Sequence, residues 1–253
     1  MSTHKDSILD QFTRQAVPFS TAPSIKDEAA LRLIVEFSGA GPTDTVLDVA
    51  CGGGLVVCAF ARTVRHATGI DLTPAMLEQA RKNQAAQGLV NITWKRGDVL
   101  PLPFPDASFT IVTSRFAFHH FLDPLAVLRE MKRVAAPGGK VMVVDSAPAP
   151  DCADAFNRME KLRDPSHARA MPVDEHKSLY ARAGLPEPRL TWYRLESEME
   201  ALIARSFPNP GDDDKIRALF RASLADDGLG IQTRLQDGKI HYGFPVAVLV
   251  ADR

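Results

Sequence analysis

The chain has little cysteine. Its three cysteines (51, 58 and 152) are an odd number without metal-ligand spacing, so no zinc site is expected and a reducing compartment fits. It has no surplus of either charge: 30 Lys and Arg against 31 Asp and Glu leave a net charge of −1. A duplex-binding protein carries a clear basic surplus. The pair Lys95-Arg96 is too small a cluster to supply one, so nucleic acid is not expected as the main partner. Long hydrophobic runs are also missing. The longest apolar stretch, 46–61, is broken by Asp48 and three glycines, and nothing in it is fit to cross a bilayer. The opening MSTHKDSILDQF has no apolar h-region. The expectation is a cytoplasmic protein without a membrane partner. Internal repeats and low-complexity segments are absent too.

What remains is ordinary for a globular chain: 45% apolar and 24% charged residues over 253 positions. A fold of that size hides roughly 70–75% of its unfolded surface, so no disulfide or metal staple is needed. The first 40 residues read as helical, with Ala30, Leu31, Ile34, Val35 and Phe37 near a 3.6 period. From residue 44, short apolar runs alternate with helices. Strands are expected at Thr45 to Val49, Ala67 to Asp71, Asn91 to Lys95, Phe109 to Ser114 and Lys140 to Asp145. Helices are expected at Leu55 to Val64, from Thr73-Pro74 to Gly88, and from Asp123 to Ala135, the last stopped by Pro137-Gly138-Gly139. That alternation implies a parallel sheet with helices on both faces. Beyond residue 147 the pattern is weaker: a helix over Val173 to Ala183, helices within 197–228, and strands at Arg189 to Leu195 and His241 to Ala251, which would pair antiparallel.

The chemistry gathers at the strand ends. The first strand runs into Asp48-Val49-Ala50-Cys51-Gly52-Gly53-Gly54, a glycine loop of the kind that lets backbone approach a ligand. Two ligands suit such a loop, a dinucleotide or S-adenosylmethionine. The G-x-G-x-x-G fingerprint fails, because Val57 stands where the third glycine belongs. Charge separates the two further. A carboxylate at position 48 would repel a pyrophosphate and attract the ammonium of a methionine tail. Asp71 closes the second strand and suits ribose hydroxyls. Asp98 follows the third and could accept from an adenine amino group, with the Val99 amide donating to the ring. The three carboxylates are spaced one βα unit apart, so their strand ends converge on one crevice.

These residues carry a resemblance. VLDVACGGG, GIDLTPAMLEQAR, GDVLPLPFPDASF and HHFLDPLAVLREMKRVAAPGGKVMVVD resemble the successive motifs of class I S-adenosylmethionine-dependent methyltransferases, "type 11" branch, a group that includes the ubiquinone/menaquinone biosynthesis enzymes. The resemblance is strong over 44–147. It implies an α/β, Rossmann-like seven-stranded sheet of order 3-2-1-4-5-7-6 with strand 7 antiparallel, plus helical cap segments. It also implies one methyltransferase domain over 1–253: a helical cap over 1–40, a cofactor-binding core over 41–147, and remaining strands with cap insertions over 148–253. By the same resemblance Asp48, Ala50, Cys51, Gly52 and Gly54 would hold the methionine end of the cofactor. Asp71 would hold the ribose, with Leu72 and Met76 packing nearby, and Asp98 and Val99 would read the adenine. Ser114 and Arg115 would line the crevice floor, and Gln15 and Phe19, with Phe12, lie in a segment that folds over the cofactor. The family usually has glycine where Ala50 stands. The YDxMN segment of the quinone enzymes and the D/N-P-P-Y motif of nucleic-acid amino methyltransferases are both missing.

Methyl transfer from a sulfonium is chiefly a matter of positioning. A base that takes the acceptor's proton helps, and His119 and His120, just past the fourth strand, are the candidates, with His167 behind them. Three stretches, 8–25, 148–172 and 197–240, are expected to cover the acceptor. The expected activity is methylation of a small organic molecule, aromatic or heterocyclic, at O, N or C. An NAD-linked oxidoreductase and a non-catalytic binding module are the rivals.

Overall fold

In parallel sheets both faces are covered, so strands read as continuous apolar runs rather than alternating ones. Four such runs form the centre of the molecule. The computed structural model describes residues 3–253. β1 (Thr45–Val49) pairs in parallel with β2 (His66–Asp71) on one side and with β4 (Phe109–Arg115) on the other. β2 continues to β3 (Ile92–Arg96), and β4 to β5 (Ala135–Ser146), both in parallel. Beyond β5 the direction reverses. β8 (Lys239–Asp252) runs antiparallel to β5 and to β6 (Arg189–Glu198), giving the order β3-β2-β1-β4-β5-β8-β6.

That is the expected order with β8 as its antiparallel seventh member. An eighth strand departs from expectation. β7 (Arg234–Gln236) forms a hairpin with β8 through Asp237-Gly238, both at positive φ. An Asp-Gly pair between short strands is a strong hairpin signal, and this one lies between the helices expected within 197–228 and the strand expected from His241.

Side chains alternate across the sheet. Val46, Met142 and Val144 pack into one layer with α2 (Glu28–Ser38) and α3 (Leu55–Ala61). Leu47, Val49, Val141 and Val143 face the other, with α5 (Pro124–Val134) and α7 (Val173–Arg182). α5 shows why it lies there: Val127, Leu128, Met131 and Val134 are its buried stripe, and Asp123 caps it by accepting from the Ala126 amide. The Pro137-Gly138-Gly139 run begins three residues past the end of this helix. The helix ends at Val134, since the residues before a proline favour extended backbone. The run itself lies inside β5, where the register against β4 shifts between Phe109 and Ile111.

α1 (His4–Thr21) crosses the open edge beside α4 (Pro74–Ala86). It begins with a capping box, Thr3 accepting from the Asp6 amide while Asp6 accepts from the Thr3 amide. α6 (Ala153–Arg163), α8 (Met199–Ala204) and α9 (Asp212–Asp226) close the side near β6 and β8. Arg163 is paired with Glu160 at 2.6 Å, while Trp192 is 44% exposed on the edge strand. Among the described residues no helix is long and apolar enough to cross a membrane.

Candidate active site

The chain leaves β1 toward β2 and leaves β4 toward β5, so the order reverses between these two neighbours. Open α/β sheets bind ligands at such a reversal, outside the carboxyl ends of the strands. A cavity of about 500 Å³ opens there, within the range of small-molecule sites. Its walls come from the β1 loop, the end of β2, residues 98–100, residues 115–127, and α1.

Three acidic side chains from separate strand ends meet on this cavity, each in a different state. Asp48 is buried, and its Oδ1 has no hydrogen-bond partner. Burial pushes its carboxyl well above the usual range; Arg115 draws it back and Asp71 pushes it further. Asp71 accepts from the Gly52 amide on Oδ2 and from the Thr73 amide on Oδ1, both at 2.8 Å, and burial still raises it. Asp98 is partly exposed. Burial raises its carboxyl, but Lys5 at 2.8 Å and the Val99 amide at 2.7 Å outweigh that and leave it lowered. The Lys5 contact carries the first turn of α1 across the cavity mouth.

Arg115 is the counterpart of these acids. Its Nε donates to Tyr193 Oη at 3.1 Å, its Nη1 to the Ile25 carbonyl at 3.1 Å, and its guanidinium lies 4.5 Å from the Phe116 ring centre. Nη2 is buried without a partner. The cavity therefore contains one acidic and one basic group, each with an unused polar atom.

The glycine loop turns under strain. Ala50 takes φ 58°, in the left-handed region that favours glycine. The amides of Cys51, Gly52 and Gly54 are already used within the protein, by the Ile70 carbonyl, Asp71 and the Cys51 carbonyl. They do not point outward as a phosphate cradle.

Of the residues expected to bind a cofactor, Phe19, Asp48, Ala50, Cys51, Gly52, Asp71, Leu72, Met76, Asp98, Val99 and Arg115 line the cavity. Gly54, Ser114 and Gln15 do not. A Cβ at Gly54 would meet Trp94 at 2.4 Å, so this glycine serves helix–strand packing. Ser114 Oγ donates back to the Val49 carbonyl at 2.8 Å and ties β4 to β1. The Gln15 amide reaches the Asp164 carboxylate and the Ser206 carbonyl, behind α1.

The histidines divide likewise. His120 lines the cavity, with the Phe12 ring 5.0 Å away edge-on. His119 and His167 do not line it: His119 is turned onto Asp145, and His167 Nε2 meets Asn157 Oδ1 at 2.8 Å. No lining residue comes from 148–172 or 197–240. Apolar lining comes instead from Ile8, Phe12, Leu100, Phe121 and Leu122. Ile8, Phe12 and Phe19 follow a helical stripe and were legible. Lys5 and Tyr193 carry no local signal, because their partners are far along the chain.

Comparison with known proteins follows the same lines. The methyltransferase domain model matches residues 47–143. The uncharacterized methyltransferase YcgJ of Bacillus subtilis is 31% identical over 206 residues, 81% of each chain. Its crystal structure superposes with a TM-score of 0.79 at 27% identity, covering 89% of this chain and 98% of that one. A putative methyltransferase from Bacillus halodurans gives 0.80 at 27% identity, covering 88% and 98%. The ubiquinone/menaquinone biosynthesis C-methyltransferase UbiE of Bdellovibrio bacteriovorus is 40% identical over 154 residues, 57% of this chain and 65% of its own.

Proposed function

Because this chain belongs to the methyltransferase family, we propose that it uses S-adenosylmethionine to methylate a small, largely apolar organic acceptor, aromatic or heterocyclic, at O, N or C. One observation carries the reading: Asp48 Oδ1 and Arg115 Nη2, opposite in charge, are both buried and unpartnered, on two residues that line one cavity. An amino-acid tail offers both complements, an ammonium for Asp48 and a carboxylate for Arg115. A dinucleotide offers neither; its pyrophosphate would face the Asp48 carboxylate and find the Cys51, Gly52 and Gly54 amides engaged.

When bound, S-adenosylmethionine supplies a methyl group on a positively charged sulfur. The protein's own residues bind, orient and dehydrate. Asp71 can accept from ribose hydroxyls through the lone pairs not used by Gly52 and Thr73. Asp98 is positioned to accept from an adenine amino group once Lys5 gives way. The remaining walls bear few charges, so the acceptor best matched to them is uncharged and apolar. Transfer of that methyl would release a proton from the acceptor, and a base at the cavity would take it. His120 suits that role. Its Nδ1 donates to the Ser166 carbonyl at 3.1 Å, so the neutral ring keeps the Nε2 lone pair to receive a proton.

Calorimetric titration tests the binding half. S-adenosylhomocysteine is expected to bind and NADH not to; the reverse overturns the reading. Asp71→Ala is expected to weaken S-adenosylhomocysteine by about 1.5–3 kcal/mol, the worth of hydrogen bonds to a charged group. Transfer of labelled methyl to a cell-extract fraction tests the catalytic half, and binding without transfer would leave a binding module. With the acceptor so found, His120→Ala is expected to keep cofactor affinity and lower turnover about 10²–10⁴-fold.

A further inference from the structure

Behind the cavity wall lies a buried polar cluster that cofactor binding does not use. His119 and His120 form a 3₁₀ turn after β4, with ring centres 4.3 Å apart at 46°. His167 lies 5.4 Å from His119, and His176 comes from α7. Of these four, only His120 lines the cavity. His119 points the other way. Its Nδ1 lies 2.5 Å from Asp145 Oδ1, and its own amide donates to Asp145 Oδ2 at 3.1 Å. The Ser146 amide adds a third bond to Asp145 at 2.7 Å, and Asp145 is 1% exposed. A carboxylate so deeply buried needs a counter-ion in contact, and His119 is the group in place.

Building on the base role given to His120, we propose that the Asp145–His119 ion pair is a positioning device: it fixes one positive charge beside His120, so that the His120 ring stays uncharged at the cavity with its Nε2 lone pair unprotonated. Two charged rings this close repel strongly once water is excluded. The surroundings agree from every side. Burial lowers His119, but Asp145 outweighs it and, with Glu160 adding and Arg163 opposing, leaves His119 raised. Burial first, then the His119 charge, push His120 down to about 3, against the opposing pull of Asp164 and the Ser166 carbonyl and with Arg163 adding to the fall. His167 and His176 are both lowered, chiefly by burial, and stay neutral. His4 reaches this group only through the His120 carbonyl, at 2.8 Å. An uncharged ring also adds no repulsion toward a cationic cofactor in the same cavity.

Histidine ring NMR on the ligand-free protein tests this without an acceptor. The seven histidines are assigned by single His→Gln variants. In the wild type the His119 ring is expected to be charged at pH 7, and the His120 ring to stay neutral down to about pH 5. In Asp145→Asn, His119 is expected to be neutral at pH 7, and protonation of His120 to set in about one pH unit or more higher. His119→Gln, which removes the charge and leaves Asp145 in place, is expected to move His120 the same way. A neutral wild-type His119 at pH 7 would overturn the proposal. So would a His120 signal with the same onset, or none, in wild type and both variants, because burial alone would then keep the ring neutral. Failure of S-adenosylhomocysteine to bind would instead sink the cofactor reading and leave these ring titrations as they are.

Discussion

Asp48→Asn weakens S-adenosylhomocysteine by about 30-fold to a few thousand-fold. The asparagine keeps the shape of the side chain and removes its charge. Truncating one member of a buried, desolvated charge pair costs about 2–5 kcal/mol, and each 1.4 kcal/mol is about tenfold in affinity. The site is suited to the upper part of that range, because Asp48 is 1% exposed and water cannot replace the lost partner. The pH dependence has a definite sign. Only the ionised carboxylate attracts an ammonium, and burial raises the Asp48 carboxyl well above its usual range. Affinity therefore falls as pH is lowered, and the fall begins at a higher pH than an ordinary aspartate would give. Calorimetry between pH 8 and pH 5 on both proteins checks this. A variant with wild-type affinity, or a wild type with the steeper loss on the alkaline side, removes Asp48 from the cofactor site.

Gly54→Ala unfolds the protein at a temperature lower by about 4–20 °C. Two penalties add. The backbone at Gly54 has φ 73°, where an L side chain costs roughly 1–2 kcal/mol. The new methyl would lie 2.4 Å from Trp94 Cη2 and 2.8 Å from Ala80 Cβ, and overpacking a core costs about 1–3 kcal/mol. For a chain of this length each kcal/mol is about 2–4 °C. Thermal unfolding followed by circular dichroism measures the change. Gly53→Ala offers a contrast. Its methyl would strike Ser20 Oγ at 2.1 Å and Ser20 Cβ at 2.8 Å, so the strain falls on α1 rather than on the seat of α3. An unchanged midpoint in Gly54→Ala would show that the Trp94 ring can move aside and that Gly54 is no packing residue.

The Gly54 result bears on what sequence can tell. In sequence, Gly52 and Gly54 look alike, two glycines in one loop. In the fold, Gly52 gives its amide to Asp71 while Gly54 lets Trp94 of β3, two strands away, close in. Ser114 and Arg115 are adjacent as well, yet strand alternation sends one back to the Val49 carbonyl and the other into the cavity. Gln15 shares a helical stripe with Phe12 and Phe19. Its amide nonetheless finds Asp164 and Ser206, residues 149 and 191 positions away. His119 and His120 are likewise split by a distant partner, Asp145.

The amino-acid order alone determined the alternating strands and helices, the placement of Asp48, Asp71 and Asp98 at successive strand ends, and so the crevice where they meet. Those features follow from local causes: side-chain period, turn residues and the steric freedom of glycine act over a few positions. Only the tertiary structure decided which member of each adjacent pair faces the cavity, that α1 closes it through Lys5 and Asp98, and that residues 148–172 and 197–240 stay outside. The reason is physical. A side chain's direction is set by the partner that satisfies its polar atoms or fills its volume, and here those partners come from strands and helices remote in sequence.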